Sequence, residues 1–327
     1  MISPRKQIIE LIEKGTIQVE NINEALKLTK VAPDAIAWKK FMDHLLLWLG
    51  GMALSFSAMF FVAYNWSDLG RFAKFGMAEA LLALAIFAYW KFGENKVVGK
   101  VSLLSATILL GVLLALVGQT YQTGADPWQL FFYWALFMLP WAVLGRFAAI
   151  WLVWLALLVV SILLYQDDLR GRFWGSVNPE TVANMLIFFL ITTTLAIWEY
   201  LSPRLVWLSE RWAIRLLAAT SGFTITWLAM ESIFDGKGAF AIITILIWIV
   251  WLFALIVFYL KIKPDLFMLT GGCLSAIVVL TSFFGNLMLS DWSAGGWLFL
   301  ALLVIGMGAG AAFWLKNVHR KWAHESN

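Results

Sequence analysis

The stretch AFAIITILIWIVWLFALIVFYL, residues 239–260, decides the class of fold. It contains no charged side chain, and about 20 apolar residues in a helix are enough to cross the ~30 Å hydrocarbon core of a bilayer. The whole 327-residue chain has the same character, with 62% hydrophobic residues, 13% charged residues and a mean hydropathy of +0.82. The sequence therefore predicts an all-α integral membrane protein embedded in the lipid bilayer.

Further apolar runs of similar length predict about ten transmembrane helices. The fourth and fifth runs are short, and only Gly145-Arg146 separates them, with Pro140 nearby. Two helices fit this segment better than one, because a single helix would be far longer than the bilayer needs. The predicted spans are residues 44–64, 72–90, 101–121, 129–144, 147–165, 182–201, 212–230, 239–260, 266–289 and 296–315.

The predicted domain organisation has three parts. Residues 1–43 are expected to form a small cytoplasmic helical headpiece, which is too small to have a substantial core of its own and is a candidate docking module for a protein partner. Residues 44–165 form the first transmembrane half with five spans. Residues 166–327 form the second half with five spans and a short basic cytoplasmic tail.

Charge predicts the orientation in the membrane. If the N-terminus is cytoplasmic, fourteen of the Lys and Arg residues from Lys39 onward fall on the cytoplasmic side and five on the outer side. Cytoplasmic loops of membrane proteins carry this kind of basic excess, so both termini are predicted to be cytoplasmic. The same rule accounts for the net charge of +4, and no basic segment predicts binding of nucleic acid.

The sequence predicts neither a metal site nor a cofactor. The single cysteine, Cys273, lies inside an apolar run, and the three histidines form no cluster with it. A zinc site needs several such ligands at close spacing.

Two polar turns stand out in the first half. The stretch FVAYNWSDLGRF (61–72) follows the first span, and GQTYQTGADPW (118–128) follows the third, so both are expected on the outer face. Convergent polar groups lined by aromatic rings are typical of a small-ligand site, whereas Asn, Asp and Gly also serve as structural caps of helix ends. The predicted pocket or clamp consists of Tyr64, Asn65, Trp66, Asp68, Arg71, Gln119, Tyr121 and Asp126.

Glu79 is the one carboxylate predicted to lie well inside a span. It follows Arg71 by eight residues, which places it about 12 Å further along the helix. At that depth it must find a donor on another helix, be protonated or face water. An ionisable group inside the membrane is a functional hypothesis, so Glu79 is a candidate proton or cation site.

The two turns also carry a resemblance. The AYNW turn, followed about fifty residues later by the GQ-Y turn and a tryptophan-rich span, resembles a bacterial family of predicted inner-membrane proteins, domain of unknown function 2157. The resemblance covers roughly residues 1–150. It implies a location in the bacterial inner membrane and no particular activity.

Three classes of function remain open. The first is a carrier, flippase or ligand-binding membrane protein with an outward-facing polar pocket for a small molecule or lipid. The second is a non-catalytic accessory or scaffold protein of a membrane complex. The third is an enzyme acting on a lipid-linked substrate through Asp68, Asp126 or Asp167-Asp168, which is disfavoured because the outer loops are short and no nucleophile–base arrangement is visible.

The predicted orientation can be tested by cysteine labelling with a reagent that does not cross membranes. We expect Asp126→Cys to be modified in intact cells and Lys321→Cys only after the membrane is opened, because the basic tail should be cytoplasmic. Labelling of Lys321→Cys from outside would overturn the orientation.

Overall fold

The structure is a computed structural model. Besides residues 8, 11, 12, 15, 16, 18–21 and 24, it describes residues 34–64, 69–94, 96–166, 178–236, 238–288 and 294–325. Most of the predicted headpiece lies outside the described residues. The predicted domain boundaries therefore stay predictions.

All regular elements in the described part of the chain are helical, which confirms the all-α prediction. A chain in hydrocarbon must pair its backbone polar groups internally, and helices do this within one segment. Among the described residues, ten helices are long and apolar enough to cross a membrane. They are α1 (Ala35–Tyr64), α2 (Arg71–Phe92), α3 (Val97–Tyr121), α4 (Pro127–Gly145), α5 (Ala148–Tyr165), α6 (Pro179–Leu201), α7 (Arg211–Phe234), α8 (Ala239–Val257, continued by a π-helix at Phe258–Ile262), α9 (Leu266–Met288) and α10 (Ala294–Glu325).

Helix α1 begins before the predicted first span. Asp34 precedes the helix, and its Oδ1 accepts a hydrogen bond of 2.7 Å from the backbone N–H of Ala37. Such a cap satisfies one of the unpaired N–H groups at a helix start. The helix therefore runs without a break from residue 35 into the predicted span at 44.

The fourth and fifth spans are two separate helices. Arg146 has a φ of 48°, the left-handed conformation that reverses the chain between α4 and α5. The hairpin is held by side chains, because Trp154 Nε1 donates to the carbonyl of Ala135 at 3.1 Å and Ser161 Oγ donates to the carbonyl of Trp128 at 3.1 Å. Pro140 lies inside α4 without ending it.

Close contacts divide the chain into two compact units, residues 1–120 and residues 121–325. In the first unit α1 and α3 approach each other at Gly51. A Cβ on Gly51 would lie 2.2 Å from Val101 Cγ1, and the Gly51 carbonyl accepts hydrogen bonds from Ser55 Oγ at 2.8 Å and Ser105 Oγ at 3.3 Å. Small residues at such points let helices in lipid pack closely.

The second unit has α7 near its centre. The fully buried apolar side chains include Ile214, Leu217, Ile225 and Leu228 of α7 and Leu269 of α9. Contacts at the far end of α7 set the helix directions. Thr181 at the start of α6 donates to Glu231 near the end of α7, so these helices are antiparallel.

Helices α7 and α9 run in the same direction. Asn286 Nδ2 near the end of α9 donates to the carbonyl of Ile233 near the end of α7 at 2.8 Å. The starts of the two helices are joined by ion pairs to Asp265, which directly precedes α9. The two helices are therefore held together at both ends.

The contact between α1 and α3 predicts that an added methyl group lowers stability at Gly51 but not at Gly50. We expect Gly51→Ala to lower the free energy of unfolding by about 1–3 kcal/mol, the usual cost of overpacking. Gly50→Ala is the matched control, because a Cβ there meets nothing within 4 Å. The measurement is unfolding of the purified protein in detergent. Val101→Ala should partly rescue Gly51→Ala by removing the clashing Cγ1, and equal losses for the two glycine variants would contradict the packing.

Candidate functional site

The predicted pocket on the outer face is only partly within the described residues. Asn65, Trp66 and Asp68 lie outside them, as does Asp167-Asp168. The other members of the set are exposed and stand at or near the ends of α1, α2 and α3 or directly before α4: Tyr64, Arg71, Gln119, Tyr121 and Asp126. The pocket formed by both turns therefore stays a prediction.

Glu79 is exposed on the surface of α2, whereas Lys74 of the same helix is buried. Within the described ranges, no residue forms a hydrogen bond or an ion pair with Glu79. An apolar cavity of about 380 Å³ lies between α1, α2 and α3, and Met77, Ala78 and Leu81 of α2 line it, but Glu79 does not. Glu79 thus faces outward from its helix, away from that cavity.

The second unit contains a charged cluster that the sequence analysis did not identify. It consists of Glu199, Arg211, Arg215, Lys263 and Asp265, and it joins the α6–α7 connection to the α8–α9 connection. We refer to these five residues as the charged cluster.

Glu199 forms one half of the charged cluster. Its carboxylate is bound by Arg211 Nη1 at 3.1 Å and by Lys263 Nζ at 2.7 Å. Tyr259 donates its hydroxyl to Glu199 Oε1 at 3.0 Å. Lys263 Nζ also donates to Ser202 Oγ at 3.0 Å. The π-helical turn at the end of α8 carries Tyr259, and such irregular turns often occur at functional sites.

Asp265 forms the other half. Its carboxylate accepts from Arg211 Nη2 at 2.5 Å and from Arg215 Nε and Nη2 at 3.3 Å. It also caps α9 by accepting from the backbone N–H of Phe267 at 3.0 Å. Burial favours the neutral acid, but the hydrogen bonds and charges of the two arginines outweigh burial and hold the pKa of Asp265 below its usual value.

The anions and cations of the charged cluster differ in exposure. The side chains of Glu199 and Asp265 are 4% and 3% exposed, whereas those of Arg211, Arg215 and Lys263 are 36%, 45% and 27% exposed. Three cations against two anions leave a net charge of +1. The charged cluster therefore presents positive charge to its surroundings and keeps negative charge inside.

A groove of about 510 Å³ lies between α7 and α9, with Trp251 and Leu255 of α8 also lining it. Glycines let α8 pack closely against both helices beside the groove, because a Cβ on Gly222 would lie 3.2 Å from Trp251 and a Cβ on Gly272 would lie 3.1 Å from Leu255. We call it the α7–α9 groove. Its lining residues on α7 and α9 are Ala218, Ala219, Gly222, Phe223, Thr226, Trp227, Met230, Phe267, Met268, Thr270, Gly271, Leu274, Ser275 and Val278.

Hydroxyl groups form a short chain of hydrogen bonds at the wall of this groove. Trp248 Nε1 donates to Ser275 Oγ at 3.0 Å, and Ser275 Oγ lies 2.6 Å from Thr226 Oγ1. Thr226 donates to the carbonyl of Gly222 at 2.6 Å, so Ser275 must be the donor to Thr226. Each hydroxyl donates once and retains a lone pair, which can accept a hydrogen bond from a ligand.

The polar groups of this region are paired charges, hydroxyls and indoles. The cations of the charged cluster are paired with carboxylates, and the polar groups of the groove wall are the hydroxyls and indoles of its lining residues. In the part of the chain that the structure describes, no three His, Cys, Asp or Glu residues are close enough to hold a metal ion. The arrangement can hold an amphipathic molecule, whose apolar part needs a groove and whose polar part needs charge.

The distribution of charged residues in the sequence indicates the charged cluster. Glu199 and Asp265 lie next to the α6–α7 and α8–α9 connections, which alternate spanning puts on the same side of the membrane. Arg211, Arg215 and Lys263 lie near these same connections. Acids placed among bases at two connections on one side are candidates for ion pairs between helix ends.

The charged cluster predicts a loss of stability on Asp265→Asn. Asparagine still caps α9, because its side-chain oxygen also accepts from a backbone N–H. We expect the free energy of unfolding at pH 7 to fall by about 1.5–3 kcal/mol, the range for a hydrogen bond to a charged group. Because the pKa of Asp265 is depressed in the folded state, its contribution is complete above the unfolded pKa of about 3.9 and is lost at lower pH. Asp265→Asn should lack this acid-dependent loss.

Asp126→Asn is the matched control for that measurement. Asp126 also precedes a spanning helix, but it is exposed and its side chain forms no capping hydrogen bond. Unfolding of both variants in detergent, followed from pH 7 to pH 3, makes the comparison. Equal losses at pH 7 would contradict the assigned role of Asp265.

Comparison with known proteins gives one match. Residues 10–151 match the model of a family described as "Predicted membrane protein (DUF2157)". No curated protein and no solved structure matches the chain. The match covers both polar turns and ends before the charged cluster and the α7–α9 groove. The resemblance of the N-terminal part is therefore confirmed over residues 10–151, which match a family of predicted membrane proteins whose function is unknown.

Proposed function

We propose that the protein is a ligand-binding membrane protein of the carrier or flippase class, and that the α7–α9 groove holds an amphipathic ligand taken from the bilayer. The observation that carries this proposal is the groove itself. Its volume of about 510 Å³ is within the ~300–1,000 Å³ typical of small-molecule sites. Like most such sites it has an apolar lining with a few polar groups, here Thr226 and Ser275.

The position of the groove supports a ligand that enters from lipid. Both helices are long and apolar enough to span a membrane. The rim carries exposed apolar side chains, among them Phe223, Trp227 and Leu274. From Ala218 to Met230 the groove follows α7 for about 18 Å, which is similar to the ~15 Å depth of one leaflet of a ~30 Å core. A hydrocarbon chain lying along the groove therefore matches it in length and polarity.

The location and orientation of the protein are part of this proposal. The resemblance of the N-terminal part favours the bacterial inner membrane, and the excess of Lys and Arg on one side favours cytoplasmic termini. The outward-facing polar pocket at the two turns remains a candidate second site. A transport cycle would have to connect that pocket with the α7–α9 groove.

An accessory role is the second candidate, and the position of Glu79 favours it. Exposure of a carboxylate on a spanning helix is costly in hydrocarbon. A donor supplied by a partner protein would remove that cost. This candidate does not require the α7–α9 groove to bind any ligand.

A substitution that fills the groove distinguishes the ligand-binding role from the accessory role. A Cβ on Gly271 meets nothing within 4 Å, although Gly271 lines the groove. Gly271→Leu should therefore place an isobutyl group in the groove with little strain. We expect lipid retention to fall severalfold, because the leucine side chain occupies groove volume and removes van der Waals contacts between the ligand and the wall. The readout is photocrosslinking of a diazirine-labelled fatty acid to the purified protein.

The matched control is Gly76→Leu on α2, where a Cβ also meets nothing within 4 Å. This variant should crosslink like the wild type, since it adds the same side chain at a position that does not line the groove. Crosslinked peptides from α7 and α9 in the wild type would support the ligand-binding role. Equal labelling of all three proteins would contradict it and favour the accessory role.

A further inference from the structure

The charged cluster adjoins one end of the α7–α9 groove. Arg215 lies one helical turn before Ala218 and Ala219, which line the groove. Its guanidinium carbon is 5.4 Å from the centre of the Phe267 ring, and Phe267 also lines the groove. A ligand that fills the groove up to Phe267 therefore ends beside Arg215.

Arg215 has donors left for such a ligand. Its Nε and Nη2 donate to Asp265, and Nη1 has no partner among the described residues. The side chain is 45% exposed. A guanidinium that is fixed by a carboxylate on one edge and open on another is well suited to bind phosphate, because less side-chain entropy is lost.

The charges around Arg215 indicate the sign of the charge on a headgroup that binds there. The two anions of the charged cluster are buried, and its cations face outward. Lys261 at the end of α8 adds positive charge at the same end of the bundle. A headgroup with its own cation would be repelled there, whereas a net negative headgroup would be attracted.

We propose that the α7–α9 groove binds a phospholipid with a net anionic headgroup, its acyl chain along the groove and its phosphate at Arg215. This inference rests on the proposed function and adds the class of lipid. The charged cluster stands where α7 and α9 begin, and lipid headgroups lie at the ends of membrane-spanning helices. A lipid of this kind thus accounts for both the apolar groove and the outward-facing cations of the charged cluster beside it.

Competition between two lipids tests the headgroup. The probes are phosphatidylglycerol, which has a net charge of −1, and phosphatidylcholine, which is neutral, with identical acyl chains. We expect the wild-type protein in nanodiscs of equal parts of both lipids to retain phosphatidylglycerol about two- to fivefold more than phosphatidylcholine, a range typical of a partly exposed ion pair. Added salt should reduce the preference. Retained lipid is counted by native mass spectrometry.

Variants of two arginines at this end of the bundle make the result specific. Arg215→Gln should abolish the preference by lowering retention of phosphatidylglycerol more than that of phosphatidylcholine, and Arg215→Lys should keep part of the preference. Arg204→Gln is the matched control, because Arg204 stacks on Tyr200 at the same end and does not line the groove. Glycerol 1-phosphate should not displace the lipid, since the acyl chain is required.

The outcomes separate this inference from the proposed function. Equal retention of both lipids by the wild type, together with loss of both in Gly271→Leu, would overturn the anionic headgroup and leave the ligand-binding role intact. Absence of any retained lipid that depends on Gly271 would overturn both. An effect of Arg204→Gln as large as that of Arg215→Gln would assign the preference to general surface charge and overturn the site.

Discussion

The burial of two carboxylates at one end of the helix bundle is the constraint on which the second unit depends. A carboxylate removed from water is costly unless it is paired and hydrogen-bonded. Glu199 of α6 and Asp265 meet this requirement through partners from three elements. These are the two arginines of α7, Tyr259 at the end of α8, and Lys263 of the α8–α9 connection. Pairing these charges fixes where four helices begin or end. The position of the α7–α9 groove follows from that alignment, since both its helices start at the charged cluster.

The helical architecture could be predicted from the sequence, because hydrocarbon imposes one rule on every span. The ten apolar runs correspond to ten helices among the described residues. The break at Gly145-Arg146 could also be predicted, because a charged residue separates two short apolar runs there. The position of Glu79 was harder to interpret. Helical spacing places it relative to Arg71 on the same helix, but only packing decides which face of α2 is covered. The structure buries Lys74 and exposes Glu79.

The contacts of the charged cluster and the shape of the groove could not be predicted from the sequence as the helices could, because they depend on contacts between distant segments. Arg211 and Asp265 are far apart in sequence, and a periodicity within one helix contains no information about such a pair. The groove depends on which residues are small where helices approach. Gly271-Gly272 illustrates this, because a Cβ on Gly272 would press on Leu255 while Gly271 opens into the groove. Two adjacent glycines thus have opposite environments that only the packing of α8 against α9 distinguishes.

The fastening of α7 to α9 at both ends has a mechanical consequence. Asp265 ties the starts of these helices through two arginines, and Asn286 ties their ends through the carbonyl of Ile233. The ends cannot separate without breaking these polar contacts. Any widening of the groove must therefore come from bowing of the two helices between their ends, for α7 near Gly222. The groove between two helices joined in this way can change its width to fit ligands of different thickness. Its length stays constant.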